Sequence, residues 1–324
     1  RIALPPSTDS MISLWFSRLF APWNYLLAAP IAAFLFWWSA WQGPPMWAFP
    51  WGDTNPVSGW MIALLWVLVA TVVVVTERFL QNRLKAGDGS GLGFLVWVLV
   101  ICSTNAGVWP WAMIMATLSL ALFTLAWLHF QNQEHGLSLF GAGLAAGFGS
   151  LFYAPLLALP FFGVIALGVW HQKSLRRSTV LLLGMGLPWY FAYAQAILSG
   201  EDLVLVGSTA LNPAWLLPTT QGGVLGWDWL FLIGLAVAGQ CIRWLQPAEF
   251  HPFMRTAISQ ALFLLVVLFL FGWLINMDPW VLLAVSAPVW TLWGGAYLQF
   301  REAPWINDLL VLVWLVLWIQ KTSF

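Results

Sequence analysis

The residues best suited to do chemistry are carboxylates in short polar stretches of a very apolar chain. Asp53 lies between Trp51 and the run Thr54-Asn55-Pro56, inside the segment PPMWAFPWGDTNP. A carboxylate within hydrogen-bond reach of an attacking hydroxyl serves as a general base. The same group is a natural oxygen ligand for a divalent cation. A turn-rich setting also suits an Asx-turn with Thr54 or Asn55, so the catalytic and the local roles both stand for Asp53. Glu201 and Asp202 form a second acidic pair. They either complete a metal site with Asp53 or open a solvated acidic loop. Asp228, in GWDW, suits the first turn of a helix, where a carboxylate meets the positive end of the macrodipole. Asp278 precedes Pro279 and reads as an N-cap with proline at the next position. The four histidines, His129, His135, His171 and His251, show no metal-ligand spacing such as HExxH.

Aromatic residues crowd the best of these acids. Trp37, Trp38, Trp41, Trp47, Trp51 and Trp60 surround the Asp53 segment, and the chain holds 26 tryptophans in all. Indole favours the headgroup region of a bilayer, so an aromatic belt accounts for such an excess. The same density suits a stacking platform, with Trp47 and Trp51 placed to receive a sugar ring or an isoprenoid tail. Mild polar groups interrupt the apolar stretches: Ser103, Thr104 and Asn105, then Tyr190, Tyr193 and Gln195, then Gln240, Gln260 and Asn276. Asn105, Gln195 and Asn276 fall toward one end of their segments and suit either the lining of an outward cavity or hydrogen bonds between helices. Ionisable residues are nearly absent from these stretches, which argues against a proton- or ion-coupled pump.

These groups must be positioned by membrane helices. Hydrophobic residues make up 61% of the 324 and charged residues 7%, against about 25% charged in soluble domains. Mean hydropathy is +0.83. The formal net charge is zero, which removes the electrostatic basis for binding nucleic acid. A span needs about 20 apolar residues, and eleven segments qualify, near 22–42, 58–78, 91–107, 110–130, 137–154, 156–172, 178–199, 226–245, 257–276, 280–299 and 305–320. The pair meeting at Tyr153-Ala154-Pro155 reads as two segments, with one long broken helix as the alternative.

The basic residues orient the spans. Alternate interruptions hold Arg18; Arg78, Arg83 and Lys85; Lys173, Arg176 and Arg177; Arg243 and Arg255; and Arg301. The intervening ones hold no Lys or Arg until Lys321. The positive-inside rule then puts the N-terminus in the cytoplasm and Asp53, Glu201, Asp202, Asp228 and Asp278 on the outer face. The expected fold is an all-α, polytopic transmembrane bundle of about eleven spans. Residues 1–21 form an N-terminal cytoplasmic segment and 22–320 a single transmembrane domain, with outer loops near 43–57 and 200–225. Met11 reads as a natural start, with the first ten residues upstream of it. Cys102 and Cys241 fall near opposite membrane faces, which prevents their pairing.

Two further signals concern packing. Gly143 and Gly147, within GAGLAAGFGS, have the GxxxG spacing that lets helix backbones approach. A phosphate-loop role fails because the run is apolar and no Lys follows. Pro155, Pro160 and Pro188 are expected to kink or break spans.

The stretches MISLWFSRLFAPWNYLLA, WGDTNPVSG, SLFGAGLAAGFGSLFYAP and HQKSLRRSTVLLLGMGLPWY resemble an uncharacterised multi-spanning inner-membrane family common in Bacteroidota. The likeness runs through most of residues 11–200 and implies a bacterial inner-membrane location. In that family the first outer loop resembles W-D-N-T-x-P-L-S with an acid upstream. Trp51, Thr54, Pro56 and Ser58 match it, whereas Gly52 stands at the usual Asp, Asp53 at the usual Asn and Phe49 at the upstream acid. The hydropathy layout distantly resembles lipid-carrier-dependent glycosyltransferases of the GT-C-like class, which place a catalytic carboxylate just after the first span. That analogy implies glycosyl transfer from or to a lipid-linked sugar, with Asp53 as base or divalent-metal ligand. One feature opposes it: such sites offset phosphate charge with Arg or Lys, and the outer face has neither before Lys321. The alternatives are a non-enzymatic scaffold or accessory subunit of an envelope assembly, with an envelope protein as partner, and, third, a transporter.

Overall fold

The computed structural model describes residues 59–84, 97, 111–170, 174–199, 252–274, 282 and 285–290. Among these residues the structure is all-helical, with no strand. Six helices carry it: α1 (Gly59–Leu84), α2 (Trp111–Gln133), α3 (Gly136–Phe152), α4 (Ala158–Trp170), α5 (Ser174–Ser199) and α6 (Pro252–Leu274). A 3-10 turn, Ala154–Leu157, precedes α4. Two stretches, Met113–Gln133 and Leu175–Leu198, are long and apolar enough to cross a membrane.

The helices overrun the apolar stretches at their polar ends. α5 begins at Ser174 rather than 178, so Arg176 and Arg177 belong to its first turns. The backbone hydrogen bonds continue through good helix formers such as Arg whether or not a residue is apolar. Two buried threonine hydroxyls are satisfied without leaving their helix. Thr76 Oγ1 donates to the Val72 carbonyl at 2.7 Å and Thr117 Oγ1 to that of Met113 at 2.8 Å.

The break at Tyr153 is a reversal rather than a kink. Tyr153 is extended (φ −146°, ψ 105°), and its N–H closes α3 by donating to the Gly149 carbonyl at 2.9 Å. Pro155 sits at the start of the 3-10 turn, where its missing N–H costs nothing. Gly143 before the break and Gly163 after it both lie against Leu181 of α5. The chain therefore turns back on itself, and two helices stand here, as the separate segments 137–154 and 156–172 expect, rather than one long broken helix. Pro188 lies within the continuous helix α5.

The GxxxG expectation holds at atomic detail. A methyl group placed on Gly143 would overlap the Leu181 carbonyl, and one on Gly147 the Met185 carbonyl. Gly184 meets the Phe140 carbonyl in the same way from the other side. The pairs advance together along both chains, so α3 and α5 run parallel with backbones in direct contact. Trp189 Nε1 adds a hydrogen bond to Ser150 Oγ at 2.9 Å.

Other pairs set the remaining directions. Phe79, late in α1, stacks on His129, late in α2, with ring centroids 4.5 Å apart. Trp127, also late in α2, bonds Gln260, early in α6. Glu134, after α2, meets Arg177 at the start of α5. One end of the bundle thus collects Arg78, Arg176, Arg177 and the start of α6, the ends that the alternation of basic residues assigns to one side.

The core is aromatic. Phe123, Trp127 and Phe130 of α2 pack with Phe162 of α4 and Phe263 of α6. Tryptophan is used differently from a headgroup belt here. Trp66, Trp97, Trp127 and Trp290 are buried and Trp189 is partly buried. These five sit inside the bundle, and the belt reading does not apply to them.

Candidate functional site

Most of the sequence-derived site residues, Asp53, Trp47, Trp51, Asn105, Glu201 and Asp202, lie outside the described residues, as do both long outer loops. Gln195 is described. It is exposed on α5, near exposed Tyr193 and Ile197. Among the described residues no three His, Cys, Asp or Glu side chains gather as metal ligands.

The described polar chemistry gathers instead at the end of the bundle where α2 finishes. Glu134 takes a left-handed backbone conformation (φ 53°), and its N–H donates to the Phe130 carbonyl at 2.7 Å. This arrangement ends α2 and lets α3 start two residues later. The Arg177 guanidinium reaches across from α5 to pair with the Glu134 carboxylate, and lies 5.5 Å from the centroid of the Phe130 ring. One arginine therefore joins the α2–α3 turn to α5 by charge and by cation–π contact. Glu77, beside Arg78 in α1, is a buried and partnered carboxylate near the same end.

A cavity of about 20 Å³ opens between α2, α4 and α6, with Val289 also in its wall. Its polar lining is Thr124, Trp127, Gln131 and Gln260, and Phe123 and Phe162 close its apolar side. The Trp127 indole N–H donates to Gln260 Oε1 at 2.8 Å. Indole can only donate, so the Gln260 carbonyl oxygen must face it and the NH₂ must face elsewhere. That NH₂ is buried without a protein partner, as are both amide atoms of Gln131. Thr124 Oγ1 spends its proton on the Ala121 carbonyl at 2.8 Å and keeps acceptor capacity.

No family model, curated protein or solved structure matches the chain. Function therefore rests on the residues and their arrangement.

Gln260 behaves as the helix-to-helix hydrogen-bonding reading expects of an intramembrane polar group. Sequence reasoning passed over Gln131, Glu134 and Thr124. Gln131 and Glu134 stand in the polar run Gln131-Asn132-Gln133-Glu134, which reads as a connection between spans. The only signal pointing to them was that α2 could continue into that run, because Gln and Asn do not stop a helix.

Proposed function

We propose that this chain is a multi-pass protein of a bacterial inner membrane, built on about eleven spans with a cytoplasmic N-terminus, that works on its outer face. The observation that carries the membrane reading is the outside of the bundle. Leu182, Leu183, Phe191 and Ile197 of α5, Phe161 and Val169 of α4, and Leu270 of α6 are exposed. So broad an apolar surface around a packed core suits lipid as the surrounding solvent. The arginines at one end supply the orientation. The test is labelling with a membrane-impermeant maleimide after replacing Cys102 and Cys241 with serine. Cysteines at Asn55 and Gly207 should label in intact spheroplasts, and one at Ser174 only in inside-out vesicles. Labelling of all three from one side would overturn the topology.

On the outer face we favour a glycosyltransferase-like activity on a lipid-linked substrate, with Asp53 as general base or divalent-metal ligand beside Trp47 and Trp51. What supports it is an acid in a Trp-, Pro- and Gly-rich first outer loop. Glu201 and Asp202 are candidate partners for a shared metal, and Asn105 and Gln195 for substrate. An Asp53→Asn variant that retained full transfer in a lipid-linked glycosyl assay would remove that role. The second reading, a scaffold or accessory subunit of an envelope assembly, is favoured by the backbone-to-backbone contact of α3 and α5, which suits a rigid frame. Stoichiometric co-purification of an envelope protein without turnover would select it.

A further inference from the structure

We propose that the cavity between α2, α4 and α6 is a binding site for one water molecule that ties α2 to α6. The water accepts a hydrogen bond from Gln260 Nε2 and donates to the side-chain carbonyl of Gln131, with Thr124 Oγ1 as a further acceptor. Three observations converge on it.

The first is demand. Gln260 is 2% exposed, and its NH₂ has no protein partner, nor does either of the solvent-shielded amide atoms of half-buried Gln131. An unmade hydrogen bond inside an apolar bundle carries a desolvation cost that one bridging water removes at several atoms together. The second is size. A water needs roughly 10–15 Å³ of such space and two to four polar partners. The cavity offers about 20 Å³ and the partners just named. A sugar, a lipid headgroup or any organic metabolite is too large for it. A hard cation needs a shell of oxygen ligands, and the lining holds no carboxylate. The third is access. Gln131 begins the run that ends at exposed Gln133 and Glu134, beside the basic end of the bundle. Water at that surface reaches the site within one or two helical turns.

The site has a consequence for the fold. Beside the Trp127–Gln260 bond, α6 meets α2 and α4 through apolar and aromatic side chains, with Phe263 against Phe162 and with Ala257, Ala261 and Leu264 along the cavity wall. In lipid such contacts offer little resistance to sliding, because acyl chains replace them readily. Two directional bonds converging on Gln260, one from Trp127 and one from the water, give α6 a single register.

The test is X-ray hydroxyl-radical footprinting of the full chain in lipid nanodiscs, read by mass spectrometry, since radicals generated from bound water modify the side chains beside it. Trp127 should be modified many-fold faster than Trp66, which is buried and outside the cavity. Gln260→Met should bring Trp127 down to the Trp66 rate, and Gln131→Met should do the same if the first variant does not fold. Equal rates for Trp127 and Trp66 in the unaltered protein would overturn the proposal. So would an undiminished Trp127 rate in a folded variant.

Discussion

Helices α2 and α5 each contain a stretch long and apolar enough to cross a membrane, but in an 18-residue window of each stretch 78% of α2 lies inside the bundle against 22% of α5. Apolar residues run round both helices, so neither sequence marks an inner face. The difference comes from what each brings into contact. α2 presents the buried rings of Phe123 and Trp127 to Phe162 of α4 and Trp127 also to Gln260 of α6, while α1 and α3 pack along its other sides. α5 packs mainly along a stripe through Leu181, the neighbours Gly184 and Met185, then Trp189 and Ala192, and adds the Arg177 contact at its start. Gly184 lets the two backbones meet, and Leu182, Leu183, Ile197 and Leu198 are left outside. In a bilayer, apolar side chains gain little by leaving lipid, so shape and close approach choose the neighbours.

The largest expected effect breaks this contrast on the α2 side. Phe123→Ala should cost about 3–5 kcal/mol, because the rings packed around it cannot collapse into the space; reversible unfolding in mixed micelles measures it. On α5, Leu183→Lys should cost about 3 kcal/mol of membrane insertion if that face meets lipid, read as the inserted fraction in a translocation assay. An inserted fraction equal to that of the unaltered helix would mean that the face meets water or protein. Between the two regions, Gly147→Ala forces apart α3 and α5 at the Met185 carbonyl and should cost about 1–3 kcal/mol by the same unfolding measurement. The smallest effect is expected at the basic end. Glu134→Gln removes a pair whose glutamate side chain is 57% exposed, and should shift stability by roughly 0.2–1 kcal/mol, fading as salt is raised. A larger, salt-independent loss would mean that the turn depends on this carboxylate for more than charge.

How much was legible follows from the same physics. The expected segments 58–78, 110–130, 137–154, 156–172, 178–199 and 257–276 each overlap a helix that the structure describes, because long apolar runs in this composition have no other stable form. Their ends were misplaced where polar residues continue the helix, as at Ser174 and at Gln131-Asn132-Gln133. The GxxxG pair was readable because a glycine's missing side chain is a packing statement in itself. The partners of that pair, Leu181 and Met185, were not, since nothing in their types distinguishes them from the other apolar residues of α5. Nor was the pairing of Trp127 with Gln260, which joins residues 133 positions apart. Asp53, Glu201 and Asp202 remain sequence-derived candidates, placed on one face by the alternation of charge.

The sequence by itself determined that the described part of this chain is helical and that its apolar stretches come in span-sized pieces, and it suggested which ends of those pieces share a side. Local hydrogen bonding and the distribution of Lys and Arg suffice for that. Only the tertiary structure decided that α2 is central and α5 peripheral, that the chain reverses at Tyr153, and that two glutamines and a threonine meet at a small cavity among apolar and aromatic side chains. Those outcomes depend on shape and on directional bonds between residues far apart in the chain, and hydrophobicity alone, nearly uniform along these helices, cannot rank one neighbour above another.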